Sequence, residues 1–201
     1  MREGRFLRIG GYVSGGVLIA FGIAVVVLGI WGFAFTRDHI QREQITFGPA
    51  TDPAVQEHAE QWAGEPVDTG RKALAMAEIM REHTLASTGG LAYAEMGRYQ
   101  SAENPSDPAG TNDEAAAAKD ENGEPVSNSA RNIWVTETAL ATALDMGFMS
   151  EMLAIFSIVV GVALLLTGIG LVIVAKAVFG RSSPAAQTAS PASEPGPAPS
   201  T

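Results

Sequence analysis

Residues 10–35 read GGYVSGGVLIAFGIAVVVLGIWGFAF, and residues 152–175 read MLAIFSIVVGVALLLTGIGLVIVA. Neither stretch contains a charged side chain. An α-helix needs about 20 apolar residues to cross a hydrocarbon core of about 30 Å, and both stretches exceed that length. We therefore expect two transmembrane helices, at residues 10–35 and 151–176, in this chain of 201 residues.

The composition of the chain limits the kinds of protein it can be. It has 46% hydrophobic residues, a formal net charge of −9 and no cysteine. Because the apolar residues are concentrated in two windows, a single-domain soluble enzyme is not expected. Without cysteine, disulfide scaffolds, thiolate zinc sites and cysteine nucleophiles are excluded.

Basic residues flank the two windows and predict how the chain is threaded. They are Arg2, Arg5 and Arg8 before the first window, and Lys176 and Arg181 after the second. Lys and Arg near membrane ends stay on the cytoplasmic side. We expect residues 1–9 and 177–201 to be cytoplasmic and residues 36–150 to lie outside the plasma membrane. The external segment is strongly acidic, which excludes nucleic-acid binding because phosphates need basic patches.

A cleaved signal peptide is the alternative for the first window, since Gly32 and Ala34 offer small residues at a cleavage-site spacing. The window is, however, longer than the roughly 7–15 apolar residues of a signal sequence. Tyr12 at its inner end, with Trp31 and Phe35 at its outer end, is typical of the interfacial aromatic belt of a retained helix. Two retained helices are the preferred interpretation.

Small residues recur at intervals of seven in both windows. They are Gly15, Gly22 and Gly29 in the first window, and Ala154, Gly161, Gly168 and Ala175 in the second. Transmembrane helices associate by close approach over small residues, and an interval of seven keeps one face toward a partner. We expect these residues to form a helix-packing face, against either the other helix of the chain or a second copy. Alternatively, the spacing reflects only the abundance of glycine in membrane helices.

The external segment carries signals for a small helical cap. Residues 52–53 predict a helix start and residues 64–66 its end. A second helix is expected from residue 68 or 69 to about 87. A short third piece is expected over residues 91–99, in which Tyr93, Met96 and Tyr99 recur at intervals of three. Apolar residues at helical spacing over residues 133–148 predict a fourth helix that runs directly into the second window.

The helical signal is absent between residues 104 and 128, where Val126 is the only large apolar residue. Such a composition cannot bury enough surface to offset the entropy of ordering, so we predict a mobile loop. The proline-rich tail, residues 177–201, is expected to be disordered. The expected fold is an all-α integral membrane protein, in which a two-helix transmembrane hairpin carries a helical extracytoplasmic cap and a disordered C-terminal tail.

The histidines are the main candidates for chemistry. The chain has His39, His58 and His83, with Glu78 and Glu82 next to His83 on the second predicted helix. His58 opens the H-x-E order of zinc deaminases, but the other half of that motif needs cysteines. The Glu-x-x-His pairs of di-iron bundles, P-loops and H-E-x-x-H motifs do not occur. We expect no catalytic, cofactor or metal site, and histidines that are solvated or packed in the cap.

The stretch from Ile45 to Met96 resembles a known family. The motifs that carry the resemblance are ITFGPATDPAVQEHA at residues 45–59, VDTG at residues 67–70, and His83 followed by GGLAYAE at residues 89–95. With an apolar helix on each side, roughly residues 10–176 resemble two-pass membrane proteins of actinobacteria that are often labelled as the LigA subunit of an aromatic ring-opening dioxygenase. The resemblance implies a membrane location in a high-GC Gram-positive host.

The dioxygenase label is not carried over to this chain. Such catalysis needs an iron held by two histidines and a carboxylate with open positions, and no two histidines lie together in the sequence. We expect instead a plasma-membrane protein without enzymatic activity that acts in assembly or interaction within the membrane or envelope. Its expected partners are the lipid bilayer and either further copies of itself or a larger membrane complex.

Two alternative functions remain. The first is an extracytoplasmic enzyme that uses a metal at His58, His83 and nearby carboxylates. The second is a small oligomeric pore. Neither apolar window contains an ionisable residue, which argues against transport by this chain alone.

Overall fold

The computed structural model describes residues 2–179, and over that range the fold is all-α. The helices are α1 (Arg2–Arg42), α2 (Pro53–Ala59), α3 (Gly70–Ser87) and α4 (Ser129–Phe179), with short 3-10 turns at Glu60–Trp62 and Tyr93–Glu95. Extended segments within residues 2–179 meet only at isolated bridges and form no strand. The end of the predicted disordered tail, residues 180–201, lies outside the described residues.

Helices α1 and α4 are both long and apolar enough to cross a membrane, by length and composition. α1 continues to Arg42, beyond the expected end at residue 35. α4 is a single helix of 51 residues, so the prediction that the fourth cap helix runs into the second window is confirmed. No proline occurs in either helix, and nothing in the sequence therefore interrupts them at the ends of the apolar windows.

The chain divides into two compact units, and each contains part of α1 and part of α4. The first unit comprises the described residues up to Phe21 and from Leu164 onward. There Gly15 lies against the backbone of Gly168 and the side chain of Val172. The second unit is Gly22–Ala163, in which Gly161 lies against the backbone of Gly22 and against Val26. In each unit the two helices meet over small residues.

A buried apolar cluster holds α2 against α3 in the second unit. Val55 and Ala73 are completely buried in it, and Ile40 of α1 and Leu144 of α4 belong to the same cluster. Both predicted helix starts are confirmed, because the Asp52 carboxylate accepts the Ala54 N–H at 3.0 Å and the Thr69 hydroxyl accepts the Lys72 N–H at 3.3 Å. The cap core therefore also depends on residues of the two long helices α1 and α4.

The predicted third helical piece over residues 91–99 is reduced to one 3-10 turn, Tyr93–Glu95. The expected spacing of three does not produce a shared face, because Met96 is buried whereas Tyr93 is largely exposed. Met96 instead packs in a second small cluster with Ala130 and Trp134 of α4. The backbone leaves the helical path at Met96, whose φ and ψ of −93° and 138° are extended.

Residues 97–128, which include the segment predicted to be mobile, are connected by backbone hydrogen bonds rather than by an apolar core. Tyr99 bridges to Thr111 and to Ser127, and Gln100 N–H donates to Val126 O at 2.9 Å. Asn128 is 3% exposed, and its side-chain amide donates to Gly97 O at 3.0 Å and Pro108 O at 2.9 Å. The mobility of residues 104–128 stays a prediction.

The acids of this segment close tight turns. Asp107, Asp113 and Asp120 each accept a backbone N–H two residues further along the chain, at 2.9 Å. This Asx-turn geometry is a common use of Asp in loops. A further N–H, from Glu124, reaches Asp120, and these backbone donors lower the pKa of the Asp120 carboxyl. These three aspartates therefore stabilise the turns of the loop backbone.

Candidate functional site

The second unit contains an apolar pocket of about 420 Å³. Volumes of about 300–1,000 Å³ are typical of small-molecule sites. Its walls come from the last turns of α1, from Ile45, from Met80 of α3 and from residues 140–150 of α4. Most of the lining side chains are apolar, and the polar ones are Thr36, His39, Glu43 and Ser150. The pocket therefore suits an apolar ligand with a polar end.

Three aromatic side chains stack along α1, and two of them, Phe35 and His39, line this pocket. Trp31, Phe35 and His39 are spaced by four residues and therefore lie on one helix face. Their ring centroids are 5.2 Å apart for Trp31 and Phe35, and 4.0 Å apart for Phe35 and His39. His39 Nδ1 also lies 3.0 Å from Phe35 O. Of the three histidines, His39 is the one that lines the pocket.

A buried carboxylate joins three helices near the pocket. Glu151 of α4 is 5% exposed, and its Oε1 accepts a hydrogen bond from Arg37 of α1 at 3.0 Å. Its Oε2 accepts the N–H of Gly70, the first residue of α3, where the helix dipole also favours a negative charge. Gly70 is required by space, because a Cβ there would lie 2.9 Å from the Phe148 backbone. Glu151 therefore fixes the start of α3 against α1 and α4.

The other two histidines pair with carboxylates where α2 meets α3. His58 Nε2 lies 2.9 Å from Glu82 Oε1, and His83 Nε2 lies 2.9 Å from Asp52 Oδ2. Ligand atoms of Glu57, His58 and Glu82 all lie within 4.8 Å of one another. His83 is not part of this group, so the joint use of His58 and His83 in the alternative metal-enzyme hypothesis has no shared cluster behind it within the described residues.

The charge state of Asp52 reflects its partners. The hydrogen bond with His83 lowers the pKa of the Asp52 carboxyl below its ordinary value of 3.8, and the Ala54 N–H acts in the same direction against partial desolvation. Asp52 thus serves both as the N-cap of α2 and as the partner of a histidine on α3. The contact between His83 and Asp52 therefore links α3 to the N-terminus of α2, and this structural role does not require a metal.

All seven predicted helix-packing residues are buried. They are Gly15, Gly168 and Ala175 in the first unit, and Gly22, Gly29, Ala154 and Gly161 in the second. A Cβ added at Gly29 would lie 2.9 Å from Ala154 O, and one added at Gly168 would lie 2.8 Å from Gly15 O. Within each unit these glycines lie against the other helix of the same chain. How much these contacts stabilise the protein stays a prediction.

Arg37, Glu151 and the pocket were not identified from the sequence. One signal was present, because Arg37 and Glu151 are the first charges beyond the outer ends of the two apolar windows and have opposite signs. The pocket gave no such signal, since its walls come from three separate stretches of chain. Comparison of the chain with known protein families, with curated proteins and with solved structures finds no match.

Proposed function

We propose that this chain is a two-pass plasma-membrane protein without enzymatic activity, whose external cap acts in assembly or interaction within the membrane or envelope. One observation carries the proposal. Large apolar side chains of α1 and α4 point outward along their whole apolar windows, for example Val17 at 62% exposure and Leu153 at 65%. A continuous apolar surface of that extent is rare on soluble monomers and is satisfied by lipid.

Membrane insertion is tested by alkaline carbonate extraction of membranes from cells that express the full chain. We expect the protein to remain in the pellet and to be released only by detergent. Release by carbonate alone would contradict insertion. The assembly part is tested separately, by the size of the complex solubilised from native membranes in mild detergent. A particle no larger than one chain with its detergent would contradict assembly.

The small-residue face has its own test within this proposal. Gly161→Leu places a side chain against the backbone of Gly22, whereas Val159→Leu changes a position that is 61% exposed. We expect Gly161→Leu to lower the free energy of unfolding in detergent by about 1–2 kcal/mol and Val159→Leu to change it little. Equal stabilities of the two variants would contradict a packing role.

A metal-dependent extracytoplasmic enzyme is the second candidate, favoured by the convergence of Glu57, His58 and Glu82. One imidazole and two carboxylates are suitable ligands for a divalent transition metal with open positions. Zn²⁺ added to the purified chain should raise its melting temperature under this hypothesis, and His58→Ala should abolish the effect. His83→Ala is the matched control, because His83 lies outside the cluster. No zinc-dependent shift would leave the His58–Glu82 pair with a purely structural role.

A further inference from the structure

We propose that the apolar pocket of the second unit binds one acyl chain of a lipid from the outer leaflet. This inference rests on the membrane location proposed above. Phe35 is the outer end of the first predicted membrane span and Ser150 directly precedes the second, and both residues line the pocket. This end of the pocket therefore lies at the depth of the outer bilayer surface, where acyl chains are the abundant apolar ligand.

An apolar path connects the pocket with the lipid-facing side of α4. Met146, Met149, Leu153 and Phe156 follow one another at intervals of three and four, so they lie on one face of the helix. All four are 60–65% exposed. Met146 lines the pocket, whereas Leu153 and Phe156 belong to the predicted span. An acyl chain can move along this stripe from the bilayer to the pocket without crossing a charged surface.

The chemistry of the lining matches a hydrocarbon chain. Ile40, Met80, Leu140 and Leu144 are among the apolar side chains that form the walls. Ile40 and Leu144 are themselves buried, so the inner wall is continuous with the core of the cap. His39 and Glu43, near the end of α1, are exposed, so the part of the pocket wall that lies farther from the predicted span is in contact with water.

The experiment uses the full chain reconstituted into vesicles of phosphatidylethanolamine and phosphatidylglycerol that contain a phosphatidylcholine with a diazirine on one acyl chain. After irradiation, cross-linked residues are identified by mass spectrometry. Leu140 is the reporter of the pocket, because it lies about 15 Å along α4 from Ser150, the residue directly before the predicted span. Leu153 and Phe156 report on the span itself. We expect cross-links at both places.

A matched pair of variants tests whether the acyl chain is inside the pocket. Ala143 is exposed and lines the pocket, so Ala143→Phe fills the cavity without removing core contacts. Ala139 is also exposed on α4 but does not line the pocket. We expect Ala143→Phe to reduce cross-linking at Leu140 by about tenfold or more, because the new ring occupies the site. Cross-linking at Leu153 should be unchanged, and Ala139→Phe should leave both signals intact.

The possible outcomes separate this proposal from the one on which it rests. Cross-links confined to Leu153 and Phe156, or a Leu140 signal that Ala143→Phe does not reduce, would overturn acyl-chain binding and leave the membrane location standing. If Leu153 and Phe156 remain without cross-links in addition to Leu140, the membrane location itself would be overturned.

Discussion

The helices over residues 53–87 and the loop over residues 97–128 belong to the same cap but are held together by different interactions. In the first region, α2 and α3 bury Val55, Ala73 and their neighbours in an apolar cluster. In the second, Asn128 and the Asx turns satisfy the backbone, and Ala117 is the buried apolar residue within the described loop. The contacts of the loop are therefore made mainly by backbone, amide and carboxylate hydrogen bonds, whereas those of α2 and α3 are made by apolar side chains.

The largest effect is expected where the packed helices are anchored. Glu151→Ala removes the acceptor of Gly70 N–H and leaves the Arg37 guanidinium without its carboxylate. We expect a loss of about 3 kcal/mol in the free energy of unfolding, because breaking a buried charged interaction leaves its partners unsatisfied. Denaturation in detergent measures this loss. Glu151→Gln keeps a carbonyl acceptor and should lose clearly less, and equal losses in the two variants would contradict a contribution from the hydrogen-bond acceptor.

A slightly smaller effect is expected at the centre of the loop. Asn128→Ala leaves the carbonyls of Gly97 and Pro108 without their donor, which should cost about 2–3 kcal/mol. Limited proteolysis should then cut more rapidly between residues 104 and 127. Asn128→Asp is the informative control, because it keeps the oxygen that accepts Ala130 N–H but cannot donate. Unchanged proteolysis in Asn128→Ala would show that the amide does not hold the loop.

Truncation of apolar residues should distinguish the two regions most simply. Val55 is completely buried, so Val55→Ala should cost about 2 kcal/mol through lost apolar burial and the cavity it leaves. Val126, the large apolar residue of the loop, is only half-buried, and Val126→Ala should change stability by less than about 0.5 kcal/mol. Chemical denaturation of both variants checks the comparison. Similar losses would mean that the loop also depends on an apolar core.

The smallest effect concerns the pH dependence of the α2–α3 junction. The His83 hydrogen bond lowers the pKa of Asp52, so its contribution to stability is present above pH 3.8 and is lost as the pH falls through the folded-state pKa. An NMR titration should show the Asp52 pKa returning toward its ordinary value in His83→Ala. His58→Ala should leave it unchanged. The same Asp52 pKa in the wild type and in His83→Ala would contradict the pairing.

The comparison also shows which parts of the fold the sequence could predict. Local rules were sufficient for α2, α3 and α4, because the caps at Asp52 and Thr69 and the apolar periodicity depend on neighbouring residues. The same rules failed for residues 91–99, because the spacing of three that includes Met96 lies in a segment that is largely not helical. The hydrogen bonds of Asn128 were unpredictable, because its partners Gly97 and Pro108 are 31 and 20 residues away.

The candidate sites also divide into those that neighbouring residues predict and those that depend on tertiary packing. Seven small residues could be assigned to a packing face because their interval repeats within each helix. The pocket needs the last turns of α1, Met80 and the middle of α4 to come together, which is a tertiary property. Proximity of Glu57 to Glu82 likewise depends on the packing of α2 against α3.

The central claim, that residues 36–150 lie outside a membrane crossed twice, is tested most directly by single cysteines. The chain contains no cysteine of its own, so Ser106→Cys and Ser193→Cys each introduce the only thiol. On intact cells, an impermeant thiol reagent should label Ser106→Cys, which is exposed in the cap, and should label Ser193→Cys only after the membrane is permeabilised. Labelling of Ser193→Cys on intact cells, with Ser106→Cys protected until permeabilisation, would contradict the proposed topology.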